Sequence, residues 1–161
     1  MEVGLALIFW YGMLHAFDAN SGREAFAYVP NLVMDDLYEY TLPSYLHKMS
    51  VDGSPGINDV FIDDGRVNNE RWRTMLVGGL RSGGKGYYAL DITKPSTFNS
   101  TEMAANVLWE FSDINDSRLG YTFSERAFQD RDIVYFLQQP ETHSFLLYHD
   151  NTETRTGMDR Y

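Results

Sequence analysis

Residues 74–93 read TMLVGGLRSGGKGYYALDIT, and the glycine-rich middle of this stretch either cradles a phosphate or turns a chain. Gly79, four residues, then Gly84-Lys85 fits all but the last position of the phosphate-loop pattern G-x-x-x-x-G-K-[ST], and it follows the apolar run Met75-Leu76-Val77. That chemistry needs a hydroxyl for a magnesium ion at the last position and a helix whose first amides face the phosphates. Gly86 stands where the hydroxyl belongs. The run Tyr87-Tyr88-Ala89-Leu90-Asp91-Ile92-Thr93 favours a strand and meets Lys94-Pro95 before a helix of ordinary length finishes. A strand enters and a strand leaves, which predicts a glycine-rich connection between antiparallel strands.

Outward from this stretch, the chain of 161 residues is 43% hydrophobic and 15% aromatic, enough apolar material for a packed core rather than disorder. With 23 acidic against 13 basic residues the net charge is -10, which opposes binding to nucleic acid phosphates or anionic membranes, and no local basic patch reverses it. The absence of cysteine excludes disulfides, thiolate zinc sites and cysteine nucleophiles while leaving the compartment open. An apolar run from Val3 to Leu14 has the length of the hydrophobic part of a signal peptide. Glu2 replaces the expected basic segment, no small-residue cleavage site follows, and the run is too short to span a bilayer, so it reads as a strand and not as a signal or membrane insertion.

Gly, Asn, Asp and Pro recur between short β-rich runs, giving an all-β reading with strands near residues 3–10, 13–18, 25–29, 58–62, 73–78, 86–92, 107–111, 132–137 and 144–149. Within residues 31–48, Leu32, Val33, Leu37 and Tyr40 fit a short helix that Pro43 ends. Two segments repeat: GMLHAFDANSGREAFAYVP (12–30) and GYYALDITKPSTFNSTEMAANVLWEFSD (86–113). Ala16-Phe17-Asp18 matches Ala89-Leu90-Asp91, and Phe26 falls near where Trp109 or Phe111 falls. The small Ala admits close sheet packing, the apolar residue fills the layer between sheets, and the Asp accepts backbone N–H bonds in the next turn. SFLLYHDNTETRTG (144–157) is a weaker third copy with Asp150 in the Asp position. Recurring units of this kind predict β-propeller blades. The 73 residues from Asp18 to Asp91 exceed the usual period of about 40 to 50, so an insertion is expected at residues 31–70. A chain this long supplies two or three blades, a partial propeller whose missing blades would be needed to cover its outer faces.

Four stretches, GMLHAFDANSGREAFAYVP, VDGSPGINDVFI, WRTMLVGGLRSGGKGYYALDIT and VLWEFSDINDSRLGYTFS, resemble in order the β-propeller domain of the type IV pilus assembly and tip adhesin family called PilC or PilY, over about residues 12–124. The resemblance implies one partial propeller domain over residues 1–161, with residues 125–161 as a divergent tail. It further implies a non-enzymatic protein, at the cell surface or outer membrane, that helps pilus assembly, opposes retraction and contributes to attachment, with pilus components or a surface receptor as partners. Both ends depart from the pattern: LALIFWY replaces the family's usual Asn-Asp turn before Gly12, and ERAFQDRDIVYFLQQPETH reads poorly as a next blade. A truncated or frameshifted gene, or a divergent intact product, would give both departures.

The family's calcium loop is not found. Asp113, Asn115 and Asp116 in DINDSRLG, and Asp59, Asp63 and Asp64 in DVFIDDG, lack the spacing of alternating oxygen ligands with a following Gly and distal Glu, and read as solvated turns. No cofactor is expected in this segment. His15, His47, His143 and His149 stand at no metal-binding spacing. Ser54 is followed by Pro55, which removes an amide that an oxyanion hole would use, so no catalytic residue is expected. Tyr38, Tyr40, Tyr45, Tyr87, Tyr88 and Tyr121 are half-buried strand residues or a contact surface for carbohydrate or protein. If a surface exists, Tyr38, Tyr40 and Tyr45 in the insertion are the candidates, because loops vary on a rigid scaffold. The alternative class is a blade of a quinone-cofactor (PQQ-type) dehydrogenase, which shares the Ala-apolar-Asp pattern but needs a complete ring around its cofactor.

Overall fold

The structure is a computed structural model that describes residues 5–10, 12–62, 71–95, 98, 103–123, 126–129, 133–137, 144–149 and 156–160. Three antiparallel meanders follow one another along the chain. The first is β1 (Leu5–Trp10), β2 (Met13–Asp18) and β3 (Glu24–Tyr28). The second is β4 (Gly56–Ile62), β5 (Arg71–Gly79), β6 (Gly86–Asp91) and β7 (Val107–Ser112). The third is β8 (Arg126–Gln129), β9 (Ile133–Leu137), β10 (Ser144–His149) and β11 (Thr156–Arg160). These last four strands pair each with the next in the same order as the second sheet, within the stretch 125–161 where the sequence reads a divergent tail with strands near 132–137 and 144–149.

The repeat seen in the sequence is a repeat in register. Ala16 pairs with Phe26 and Ala89 with Trp109, and in both sheets the register shifts at the next residue. One extra residue on β3 (Ala25) and on β7 (Leu108) makes the same bulge in both places, bending the outer strand. Of the two aromatic counterparts of Phe26, the pairing selects Trp109. Asp18 and Asp91 close the turns as their position demands: Asp18 Oδ1 accepts the amides of Asn20 and Ser21 at 3.1 and 2.7 Å, and Asp91 Oδ1 accepts the Thr93 amide at 3.0 Å. The strand of the weak third copy, β10, holds the same third place in its sheet as β6. Asp150 lies outside the described residues.

The second sheet is buried on both faces, and all six residues of β6 are buried. One face carries Leu76, Tyr88 and Leu90 into a cluster with Leu14, Ala16, Phe26 and Tyr28 of the first sheet. The other carries Met75, Val77, Tyr87, Ala89 and Phe111 together with Leu119. Ala16 therefore faces the following sheet, and Ala89 faces away from the preceding one, as stacked copies of one unit require. The first strands of the second and third sheets, β4 and β8, come into contact, so these sheets converge along their inner edges. Gly78 pairs with Tyr88, and a side chain there would meet the Tyr88 ring at 2.2 Å; the missing Cβ makes the ring's berth.

Sequence reading places the insertion at residues 31–70. The second sheet begins at Gly56, so the segment between sheets is residues 29–55 and Gly56–Ile62 belongs to the sheet. Its helix, Asn31–Thr41, is a 3-10 helix; Leu42, ahead of Pro43, is already extended.

Candidate functional site

Four kinds of segment meet at one end of the first two sheets: the β1–β2 turn, the connection of residues 29–55, the glycine loop after β5 and the loop after β7. The connection is fastened at three points. At its start Glu110 on β7 accepts the Asn31 amide at 2.8 Å and the Tyr28 hydroxyl. Burial first, and the bond to Glu110 second, push the Tyr28 hydroxyl well above its ordinary titration range, so it stays a donor. Along the helix, Asp36 and Glu39 lie three residues apart and eclipse in a 3-10 turn. The Lys48 ammonium bridges them at 2.9 and 3.6 Å, and the hydrogen bond to Asp36 chiefly raises its affinity for its proton.

The third fastening is made by the glycine loop between β5 and β6. Gly83 lies so close to Ser50 that a Cβ would stand 1.8 Å from the Ser50 carbonyl oxygen. Ser50 and Val51 are buried there, and Tyr40 reaches the Ser50 hydroxyl at 2.7 Å. The glycine loop is a short 3-10 turn, Arg81–Gly83, between antiparallel β5 and β6, as expected. Within the loop the Arg81 amide donates to Thr122 Oγ1 at 3.1 Å, and that hydroxyl donates to the Gly86 carbonyl at 3.0 Å. The loop is a dock for neighbouring chain, already filled.

Of the three tyrosines expected to make a surface, Tyr40 and Tyr45 come together, ring centroids 5.1 Å apart, and Tyr38 stands clear of them. Tyr45 accepts the Lys48 amide at 3.2 Å and lies 3.3 Å from His47 Nδ1. These two rings are scaffold for the loop, while Tyr38 is 63% exposed. Tyr87 and Tyr88 are core residues, and Tyr121 is exposed beside Phe123, over whose ring the Arg81 guanidinium lies at 5.6 Å. Sequence reading missed the strongest exposed apolar groups of the connection: Leu46 at 85%, with Met34, Leu42 and Met49 around half exposed. Their signal was present, since Pro43 ends the helix and leaves Leu46 and Met49 with no periodic partner to bury them.

Among the other candidates, His15 is half-buried on β2 with Nδ1 2.6 Å from Glu24 Oε1. Ser54 is exposed in a loop, and His143, Asp63 and Asp64 lie outside the described residues. The acids of residues 113–116 have local partners: Asp113 pairs with Lys85 at 3.4 Å, Asn115 Oδ1 accepts the Ser112 amide at 2.9 Å, and Asp116 grips Arg118. The Arg118 guanidinium, then its amide, holds the Asp116 carboxyl down to about 2, against an ordinary value of 3.8. A carboxylate depressed by folding adds stability above its ordinary value and loses it as pH falls towards the folded value. The loop after β7 should therefore loosen between about pH 4 and about pH 2. Amide exchange at Arg118 and Leu119 checks this: Asp116→Asn should show at neutral pH the faster exchange that the unaltered chain shows only in acid.

Successive antiparallel meanders, with repeated bulges and aspartate-closed turns and both faces of the middle sheet covered, define a segment of a β-propeller. Residues 9–129 match the family described as the PilY1 beta-propeller domain, and the chain belongs to that family. This membership takes the place of the quinone-enzyme alternative. The chain is 46% identical over 114 residues to a type IV pilus biogenesis factor PilY1 homolog of Xylella fastidiosa, covering 71% of this chain and 7% of that protein. It is 40% identical over 117 residues to the type IV pilus biogenesis factor PilY1 of Pseudomonas aeruginosa, covering 71% of this chain and 9% of that protein. It thus spans less than a tenth of the length of these relatives. The crystal structure of the Pseudomonas aeruginosa PilY1 C-terminal domain superposes with a TM-score of 0.65 at 27% identity, over 97% of this chain and 29% of that one. The likeness includes the sheet formed by residues 126–160.

Proposed function

We propose that this propeller segment serves, as part of a PilY1-type protein, in assembly of type IV pili and attachment of cells to surfaces, without catalysis. The observation that carries the reading is the conjunction of family membership with exposed apolar side chains on a blade-to-blade connection that is hydrogen-bonded to the second blade. A connection that presents Tyr38, Leu46, Met34 and Leu42 to solvent suits protein contact, because burial of these side chains would supply affinity. Pilus components or a surface receptor are the partners this reading assigns, and the cell surface is its location. Among the described residues no helix is long and apolar enough to cross a membrane. The reading asks for no cofactor within this segment, and it leaves calcium to other parts of a longer protein.

The tyrosines then divide by role. Tyr38→Ala combined with Leu46→Ala should lower surface attachment several-fold at unchanged protein level and unchanged melting temperature. Tyr45→Ala should lower the melting temperature as well, because it removes the ring packed on Tyr40 and the acceptor of the Lys48 amide. Attachment equal to that of the unaltered protein in the Tyr38/Leu46 variant would refute the assigned surface.

A further inference from the structure

Asn115-Asp116-Ser117 satisfies N-x-[ST] with a residue other than proline in the middle, the acceptor pattern for N-linked glycans in exported proteins. The pattern alone is short and common. Its placement is what gives it weight. Asn115 and Ser117 are both exposed, on the turn that follows β7, and the neighbouring Ile114 is 92% exposed at its tip. The side-chain amide is oriented from one side only: Oδ1 accepts the Ser112 amide at 2.9 Å, and among the described residues Nδ2 has no hydrogen-bond partner. An N-linked asparagine keeps its carbonyl oxygen as an acceptor, so a glycan on Nδ2 would leave the Ser112 bond and the turn intact.

From this arrangement we propose that Asn115 is an acceptor for N-linked glycan, transferred from a polyprenyl-pyrophosphate carrier. The transfer forms a bond between Asn115 Nδ2 and the anomeric carbon of the sugar and breaks the bond from that carbon to the pyrophosphate oxygen. The carrier leaves as polyprenyl pyrophosphate with the electron pair, and one amide proton passes to a base of the transferase. A glycan at this turn would stand in the same loop after β7 as the exposed Tyr121 and Phe123. The second match to the pattern, Asn99-Ser100-Thr101, lies outside the described residues.

The inference rests on export of the protein, as the proposed function assigns. The test is peptide-level mass spectrometry of the full-length protein from its own cells, with the same preparation divided into surface and cytoplasmic fractions. The expected result is a glycan mass on the peptide that contains Asn115, absent in Asn115→Gln and Ser117→Ala and present in Ser117→Thr, which keeps the hydroxyl. Surface-fraction protein with an unmodified Asn115, or with glycan confined to Asn99, would overturn the inference and leave the proposed function standing. Protein confined to the cytoplasm would overturn both.

Discussion

Replacing Arg73 by methionine should destabilise the protein by about 3–5 kcal/mol, the cost of leaving one member of a buried ion pair without its counterion. Arg73 on β5 and Asp91 at the end of β6 are joined by a salt bridge on the face of the middle sheet turned away from the first, and both are buried. Asp91 has a second duty, since it accepts the Thr93 amide and hydroxyl and so closes the turn that ends the repeat. The two duties are separable. Asp91→Asn keeps the acceptor for Thr93 and removes the charge, so the double variant Arg73→Met/Asp91→Asn should recover most of the loss. Urea midpoints of the four proteins of this cycle, read in the full-length protein, give the coupling directly. Additive losses would show that the pair is not the source of the cost.

Gly83→Ala is the second large effect, about 3 kcal/mol, at the upper end of what overpacking costs because the obstacle is backbone and not the end of a side chain. A methyl group 1.8 Å from the Ser50 carbonyl can be admitted only if the connection lifts, taking Val51 out of the core and loosening Tyr40 from Ser50. Gly78→Ala makes an instructive contrast: there the obstacle is the Tyr88 ring, so a smaller residue at 88 should restore part of the stability. No second-site side-chain change should do so for Gly83. Attachment should fall with Gly83→Ala although Tyr38 and Leu46 are untouched, because the segment that presents them has lost its dock. A melting temperature and attachment level equal to those of the unaltered protein would contradict the docking role.

Much of this architecture could be read from particular residues. Gly86 in place of a hydroxyl, and the strand-like run after it, turned the glycine stretch from a phosphate site into a strand connection. The Ala-apolar-Asp repeat located β2 and β6, each the strand before the bulged outer one, because each of its residues answers a fixed demand of the stack: small, apolar between layers, an acceptor at the turn. Other elements carry no such signal. β11 is Thr-Gly-Met-Asp-Arg, without alternation, and β8 has only four residues, so the sheet formed by residues 126–160 emerges from pairing with β9 and β10 and not from propensity. β4 begins inside the stretch assigned to an insertion and two residues before the strand read at 58–62, since Gly56 and Ile57 join the sheet only through their pairing with Val77 and Leu76.

The connection was legible in the sequence, and the attitude of its rings was not. Length between the two Asp positions marked the connection as extra chain, and the tyrosines marked it as aromatic. Which rings point outward depends on tertiary contacts that no local pattern encodes. Tyr40 is turned inward by the Lys48 carbonyl and the Ser50 hydroxyl, eight and ten positions along the chain, and Tyr45 packs on Tyr40, whereas Tyr38 is 63% exposed.

The most direct test of the central claim is the yield of surface pili sheared from cells in which the gene encoding this chain is disrupted, compared with the same cells carrying a restored copy. A part in building type IV pili predicts few pili after disruption and a normal yield after restoration. Equal yields in both, with the pilus subunit present at equal level, would contradict it.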